Sequence, residues 1–383
     1  MIERVVISGG GTGGHIFPAI AIADEIKKRN PKVKILFVGA SGKMEMEKVP
    51  QAGYKIEGLR IAGFQRDFSL SNLLLPFKII KSLWRARNIL DKFRPQLVIG
   101  VGGYASGPTL KMANWLRIPT LIQEQNSFPG KTNKMLARKA ENICVAYENM
   151  DRFFPKDKIV LTGNPVRKEF HDKTATKEEA LTFYKLDNSK PVILVIGGSL
   201  GAKTLNRSIV KNIDEINIAN VQVLLQTGKH YYDTIIEETF NEDMSNIKLL
   251  QFIHRMDLAY AAADIIISRA GAISVSELSM VGKPIILVPS PNVSEDHQTK
   301  NAMALVEKNA AILVKDSEAR KQLVPEALEL LKDKTKQQQI SKALKQLEKP
   351  NATLEIVDVC ESIVDRKRRR RSKVENKELR IKN

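Results

Sequence analysis

His15 stands inside "SGGGTGGHIFP" (residues 8–18), the one histidine of five that falls in a glycine loop. A ring that titrates near neutrality is a natural group to take a proton from an attacking hydroxyl. A histidine at the start of a helix can equally make a structural hydrogen bond, and both roles stay open. His171, His230, His254 and His297 have no metal-ligand spacing. Arg167 can neutralise a diphosphate bidentately, and Ser199 in "IGGSLGAK" adds a hydroxyl donor. Glu277 in "SRAGAISVSE" is an acceptor-only side chain suited to two ribose hydroxyls, and Gln298 in "EDHQTKNA" can bond a sugar hydroxyl. Both also read as ordinary polar helix residues. The chain holds no D-x-D, so a leaving diphosphate would rely on backbone amides and Arg167; no metal and no cofactor are expected.

Strand–glycine–helix turns must position these residues. Apolar runs at 5–7, 33–38, 97–101, 120–123, 143–146, 192–196, 221–226, 265–268 and 285–288 alternate with helical patterns. Runs apolar on both faces and separated by helices predict parallel sheets covered on two sides, the doubly wound α/β class. Gly9, Gly11 and Gly14 match G-x-G-x-x-G, with Pro18 expected in the first turn of the following helix. A dinucleotide site also needs an acid ending the second strand. Here "VKILFVGASGK" ends in Gly39, Ala40 and Ser41, which argues against an NAD-linked oxidoreductase.

"VGGYASGP" (101–108), "IGGSLGAK" (196–203) and "SRAGAISVSE" (268–277) each follow an apolar run. Converging glycine-rich amides and helix N-termini suit a diphosphate. "VILVIGGSLGAK" restarts the plan of the first loop half a chain later, with the non-periodic "LTGNPVRKEF" between. Two Rossmann-like halves joined near residues 163–167 are expected, with a ligand cleft between them at the carboxyl ends of the strands. The expected boundaries are 1–165 and 166–349, and the basic segment 366–383 is expected to be an unstructured tail.

With 43% hydrophobic and 27% charged residues among 383, the chain reads as globular and long enough for two cores. Cys144 and Cys360 fit no metal or disulfide framework, which points to a reducing cytoplasm. Neither a signal sequence nor a membrane-spanning run of ~18 apolar residues is expected. The net charge of +18 is clustered. Residues 366–383 hold ten Lys/Arg against two glutamates, and residues 60–94 hold eight against two aspartates. Such a field attracts nucleic acid or an anionic membrane surface.

"LSNLLLPFKIIKSLWRARNIL" (70–90) favours the membrane. Leu73, Phe77, Ile80 and Trp84 share the helical face a core would take, while Leu75, Ile79 and Leu83 form a second apolar strip beside Lys78, Lys81 and Arg85. The nucleic-acid alternative lacks aromatics interleaved in the basic run.

"GGTGGHIFPAIAIA" (10–23), "VGGYASGP", "QEQNSFPGKTNKMLA" (123–137), "TGNPVR", "GGSLGA", "SRAGAISVSE" and "DHQTKNA", in this order, resemble the MurG family from residue 5 to about 363. That family comprises the N-acetylglucosaminyltransferases that make lipid II in bacterial peptidoglycan synthesis. The resemblance implies a GT-B fold and an inverting, metal-free transfer of GlcNAc from UDP-GlcNAc. The acceptor it implies is the 4-hydroxyl of MurNAc in undecaprenyl-pyrophosphoryl-MurNAc-pentapeptide. It further implies a peripheral place on the cytoplasmic face of the plasma membrane. Leu73, Leu75, Phe77, Ile79, Leu83, Trp84 and flanking Lys/Arg would hold that anionic surface, with no nucleic acid as partner.

Carried over motif by motif, Arg167 and Ser199 meet the diphosphate and the backbone at Ile253 reads uracil. The turn of Ala272, Ile273, Ser274, Val275, Ser276 and Glu277 holds phosphate and ribose, and Gln298 binds GlcNAc hydroxyls. Thr12, Gly13, Gly14 and Asn126 line the donor-sugar and acceptor side, with Tyr104 and Glu124 nearby and His15 as candidate base. The N-terminal glycine loops would cradle the acceptor pyrophosphate. The helix at 350–365 is expected to return to the first domain.

The resemblance breaks at three places. Leu200 stands where the family carries glutamine, Gln123 replaces a histidine, and the arginine-rich tail is longer than the pattern requires. A UDP-sugar glycolipid synthase of the same superfamily is the nearest rival, since it too needs a UDP site and a membrane face.

Overall fold

The computed structural model describes residues 1–61, 75–166, 175–198 and 200–382. Leu73, Arg167 and Ser199 lie outside the described residues, as do the side chains of Leu75, Phe77 and Lys78. The chain divides into two units, Met1–Val166 with Lys349–Asn383, and Arg167–Glu348.

The first unit is built on β1 (Arg4–Ser8), β2 (Lys34–Ala40), β3 (Lys55–Leu59), β4 (Leu97–Gly100), β5 (Thr120–Glu124), β6 (Asn142–Val145) and β7 (Ile159–Leu161). The order in the sheet is β3-β2-β1-β4-β5-β6-β7, and every pair is parallel. β1 meets β2 from Arg4↔Lys34 to Ser8↔Val38, and β4 from Val5↔Leu97 to Ser8↔Gly100. Strand order reverses between β1 and β4, which opens a crevice at their carboxyl ends.

Alternation along β1 sends Val5 and Ile7 to one face and Val6 to the other. The first face is covered by the helices Gly13–Arg29 and Ala352–Lys382 through Ile16, Ile22, Ile356, Val357, Cys360 and Ile363. The second is covered by Leu75–Phe93 and Ser106–Trp115 through Ala86, Leu90 and Leu110. Arg29 ties the last helix to the first, donating to Glu25 at 3.0 Å, Asp358 at 2.6 Å and Glu361 at 3.1 Å. Cys144 and Cys360 are buried free thiols in this core, and burial pushes the Cys144 thiol up to about 12, so it carries no nucleophile at neutral pH.

Two local expectations are corrected. Pro18 lies beyond the first turn of the helix Gly13–Arg29, where its ring removes the N–H that would bond the Gly14 carbonyl. The arginine-rich segment is helical through Lys382 rather than unstructured. Arg, Lys and Glu are good helix formers, and the segment's start is tethered. Arg366 donates to Asn142 at 2.7 Å, Arg368 pairs with Glu3, and the N-terminal amine meets Asp365 at 3.5 Å.

The second unit repeats the plan with β8 (Val192–Ile196), β9 (Gln222–Gln226), β10 (Ile247–Leu250), β11 (Ile265–Ser268), β12 (Ile285–Leu287) and β13 (Ile312–Leu313). Its order is β10-β9-β8-β11-β12-β13, again parallel throughout. The reversal now falls between β8 and β11, the strands that lead into "GGSLGA" and "RAGAIS".

Candidate active site

The loop after β1 carries His15 into the first crevice. Thr12 is the extended N-cap of the helix Gly13–Arg29 and makes no side-chain cap bond, so the turn is built by backbone. His15 Nδ1 lies 3.1 Å from the Gly10 carbonyl and 3.3 Å from Thr12 Oγ1. A carbonyl can only accept, so Nδ1 carries the proton and the neutral ring has its lone pair on Nε2. Nε2 faces the loop after β4, where a Cβ at Gly102 would come within 2.8 Å of it. Gly13 and Gly14 are half-buried and Thr12 is exposed beside the ring. Tyr104, on the same loop as Gly102, is exposed.

Glu124 ends β5 and is buried. Its Oε1 accepts from the backbone N–H of Asn126 at 3.0 Å and from Asn126 Nδ2 at 3.1 Å. Its Oε2 accepts from Gly130 N–H at 3.2 Å and Asn133 Nδ2 at 2.8 Å. Glu124 therefore sets the turn that presents Asn126. Gln123, in the position of the family histidine, is fully buried and donates to Asn164 at 3.0 Å, while Asn164 donates to the Gln125 carbonyl at 2.9 Å. This amide pair ties the "TGNP" segment to β5.

In the second unit the loop after β8 packs on the loop after β9. Gln226, buried at the end of β9, donates to the Gly198 carbonyl at 2.9 Å and accepts from the Ile253 N–H at 2.9 Å. The Ile253 amide is thus already engaged, which leaves its carbonyl as the backbone group able to read a base. Ala272, Ile273, Ser274, Val275, Ser276 and Glu277 form the first turns of the helix Ala272–Val281, whose N-cap is Gly271. First-turn amides have no intrahelical acceptors. Glu277 is buried on this helix. Arg269, just after β11, donates to Val288 O at 2.9 Å and to Asp316 at 2.5 Å, fixing the turn that precedes Gly271.

Gln298 is half-buried on the helix His297–Val306 and accepts from Ser290 N–H at 2.8 Å, so its amide nitrogen is the end left to address a hydroxyl. Glu295 and Asp296, both left-handed at φ 55° and 54°, form the kink before it. Leu200 is exposed.

On the helix Leu75–Phe93, Ile79, Ile80 and Trp84 are exposed, and Leu83 packs against the core beside Ala86 and Leu90. The face expected to serve the core is therefore the outer one at Ile80 and Trp84, and Leu83 is withdrawn from the membrane strip. The inward residues recur as Leu83, Ala86 and Leu90, the helical spacing that the sheet selects. Trp115, 63% exposed at the end of the neighbouring helix, joins the outer surface, and Arg87 lies over both Trp84 (5.8 Å) and Trp115 (4.7 Å). No helix among the described residues is long and apolar enough to cross a membrane.

Sequence reasoning missed Glu45, Gln226, Arg269 and Trp115. Only Trp115 carried a local signal, a large apolar residue at the very end of its helix. The others act through loops far away in sequence.

Two Rossmann-type sheets with glycine loops at both reversal points give the GT-B fold, and the family matches make the chain a glycosyltransferase. The chain matches the glycosyltransferase family 28 N-terminal domain over residues 5–145 and the C-terminal domain of that family over residues 192–356. It is 55% identical to a UDP-N-acetylglucosamine–N-acetylmuramyl-(pentapeptide) pyrophosphoryl-undecaprenol N-acetylglucosamine transferase of Flavobacterium psychrophilum, over 94% of this chain and 98% of the relative. A relative of the same name from Cytophaga hutchinsonii is also 55% identical, over 96% and 98%. Among solved structures, Acinetobacter baumannii MurG superposes with a TM-score of 0.76 at 29% identity, covering 94% of this chain and 99% of that one. The chain belongs to the MurG family.

Proposed function

We propose that this chain transfers N-acetylglucosamine from UDP-GlcNAc to the 4-hydroxyl of MurNAc in undecaprenyl-pyrophosphoryl-MurNAc-pentapeptide, giving lipid II. The observation that carries the reading is 55% identity to transferases of this name along nearly the whole of both chains. In the reaction the acceptor oxygen attacks the anomeric carbon as the bond to the UDP oxygen breaks, with inversion. His15 Nε2 takes the hydroxyl proton, and UDP leaves as the anion.

Arg167, Ser199 and the helix start at Ala272–Ser274 offset the charge of that diphosphate. Glu277 holds the ribose hydroxyls, the Ile253 carbonyl reads uracil, and Gln298 bonds the GlcNAc hydroxyls. Thr12, Gly13, Gly14, Asn126 and Tyr104 line the acceptor side, with Glu124 holding Asn126 in place. The Gly11 N–H is occupied by Glu45 at 2.8 Å, so an acceptor pyrophosphate is held by neighbouring groups of the loop. The test is transfer of labelled GlcNAc from UDP-GlcNAc to a lipid-linked MurNAc-pentapeptide. Labelled product is the expected result, and transfer to diacylglycerol instead would establish the glycolipid synthase.

The acceptor lipid calls for a membrane face, and Ile79, Ile80, Trp84 and Trp115 around Arg87 supply an amphipathic one. Replacing Trp84 and Trp115 together by serine should lower partitioning onto anionic vesicles about tenfold, equivalent to about 1.4 kcal/mol, with the melting temperature retained. Sedimentation with vesicles measures this, and unchanged partitioning would remove these residues from the contact.

A further inference from the structure

We infer that Glu45 is a positioning residue for the transfer reaction, acting on His15 through the single peptide group that joins Gly10 to Gly11; the inference rests on His15 as the base. The N–H of that peptide, on Gly11, donates to Glu45 Oε2 at 2.8 Å. The carbonyl of the same peptide, on Gly10, accepts the Nδ1 proton of His15 at 3.1 Å. Carboxylate, peptide and imidazole therefore form one hydrogen-bonded chain across a planar, resonance-delocalised unit.

An anion at the N–H end draws the peptide toward its charge-separated form and places more negative charge on the carbonyl oxygen. That oxygen then holds the Nδ1 proton more strongly, and most strongly when the ring becomes imidazolium. Glu45 thereby keeps Nε2 as the lone-pair nitrogen and raises its appetite for a proton. The arrangement does the work of a carboxylate bonded directly to a histidine, with a peptide interposed.

The surroundings are shaped for this chain of bonds. Glu45 is 1% exposed, and its other oxygen accepts the Ala40 N–H at 2.9 Å, so the carboxylate cannot swing away. A Cβ at Gly10 would overlap the Glu45 carboxylate, and Gly10 and Gly11 take φ values of 147° and 86° that orient the peptide between the two side chains. Of the loops packed on the ring, residues 9–12 carry no titratable side chain and the loop after β4 carries Tyr104. The ring's own helix has no acid in its first turn. Glu124 ends β5 and Lys131 starts the helix that follows, and Glu124 is bonded to Asn126, Gly130 and Asn133.

Glu45→Gln in the full chain keeps the shape and one acceptor oxygen while removing the charge. The expected result is a kcat about tenfold lower, a part of the ~10²–10⁴ a general base supplies, with KM for UDP-GlcNAc within about twofold. The acid limb of the kcat profile should move to lower pH, because a base that binds its proton less tightly stays active further into acid. The His15 ring resonances should titrate in the same direction. A Glu45→Gln enzyme with unchanged kcat and acid limb, while His15→Ala is inactive, overturns the inference and leaves His15 as base. A fully active His15→Ala enzyme overturns the base assignment itself. Should Glu45→Gln fail to fold, nitrogen-15 shifts of His15 in the unaltered protein decide: a neutral ring protonated on Nδ1 is expected, and one protonated on Nε2 overturns the inference.

Discussion

Alanine at Gly201 should weaken UDP binding about a hundredfold and lower the melting temperature. Gly201 sits at φ 79°, in the left-handed region, where a side chain costs about 1–2 kcal/mol before any contact is considered. A Cβ there would also overlap the Thr227 carbonyl oxygen and lie 3.0 Å from the Cα of Gly228, itself at φ 82°. These neighbours are backbone, so no side chain can turn aside. Relief requires the loop after β8 to move off the loop after β9, breaking the Gln226 bond to Gly198 and displacing the amides proposed for the diphosphate. Loss of one or two amide bonds to a charged diphosphate, about 1.5–3 kcal/mol each, is enough for a hundredfold weakening. Calorimetric titration with UDP, alongside a thermal melt, measures both quantities, and wild-type affinity in a folded variant would remove this loop from the donor site.

His15→Ala should reduce kcat by ~10²–10⁴-fold while leaving KM for UDP-GlcNAc nearly unchanged. The ring is half-buried, held by Gly10 and Thr12 on one edge and lodged over Gly102 on the other. Truncation removes the proton acceptor, and the donor nucleotide is assigned to the other unit's loops. Steady-state rates with the lipid-linked acceptor, at saturating donor, give the comparison. A variant with raised KM and intact kcat would mark His15 as a binding residue instead.

Much of the architecture was legible because parallel strands buried on both faces must be continuously apolar. "VVI", "LVIG" and "VILVI" could be recognised without knowing what covered them. The glycine loops were legible for a related reason, since a strand that turns straight into a helix needs residues without side chains. Helix faces were harder to assign. Along residues 70–90 two apolar strips competed for the core, and the sheet took Leu83, Ala86 and Leu90 while Trp84 and Ile80 stayed outside. The arginine-rich end looked too polar to fold, yet local propensity and the tethers at Asn142 and Glu3 carry it as a helix.

What the sequence alone determined about this protein is its family, its two-sheet plan and the glycine loops that end the leading strands, because each rests on local pattern or ordered motifs. Tertiary structure alone decided which groups complete those loops. Glu45 lies 34 residues from Gly11, and Gln226 lies 28 from Gly198 and 27 from Ile253. Their contacts exist because parallel sheets place the ends of neighbouring strands side by side, however long the connecting chain. The acid absent from the end of β2 has its counterpart in Glu45, five residues past Ala40, where its carboxylate bonds the glycine loop from beneath. The physical reason is hydrogen-bond satisfaction: a buried carboxylate and loop amides shielded from water are each costly alone and stable together, and only the folded chain brings them within reach.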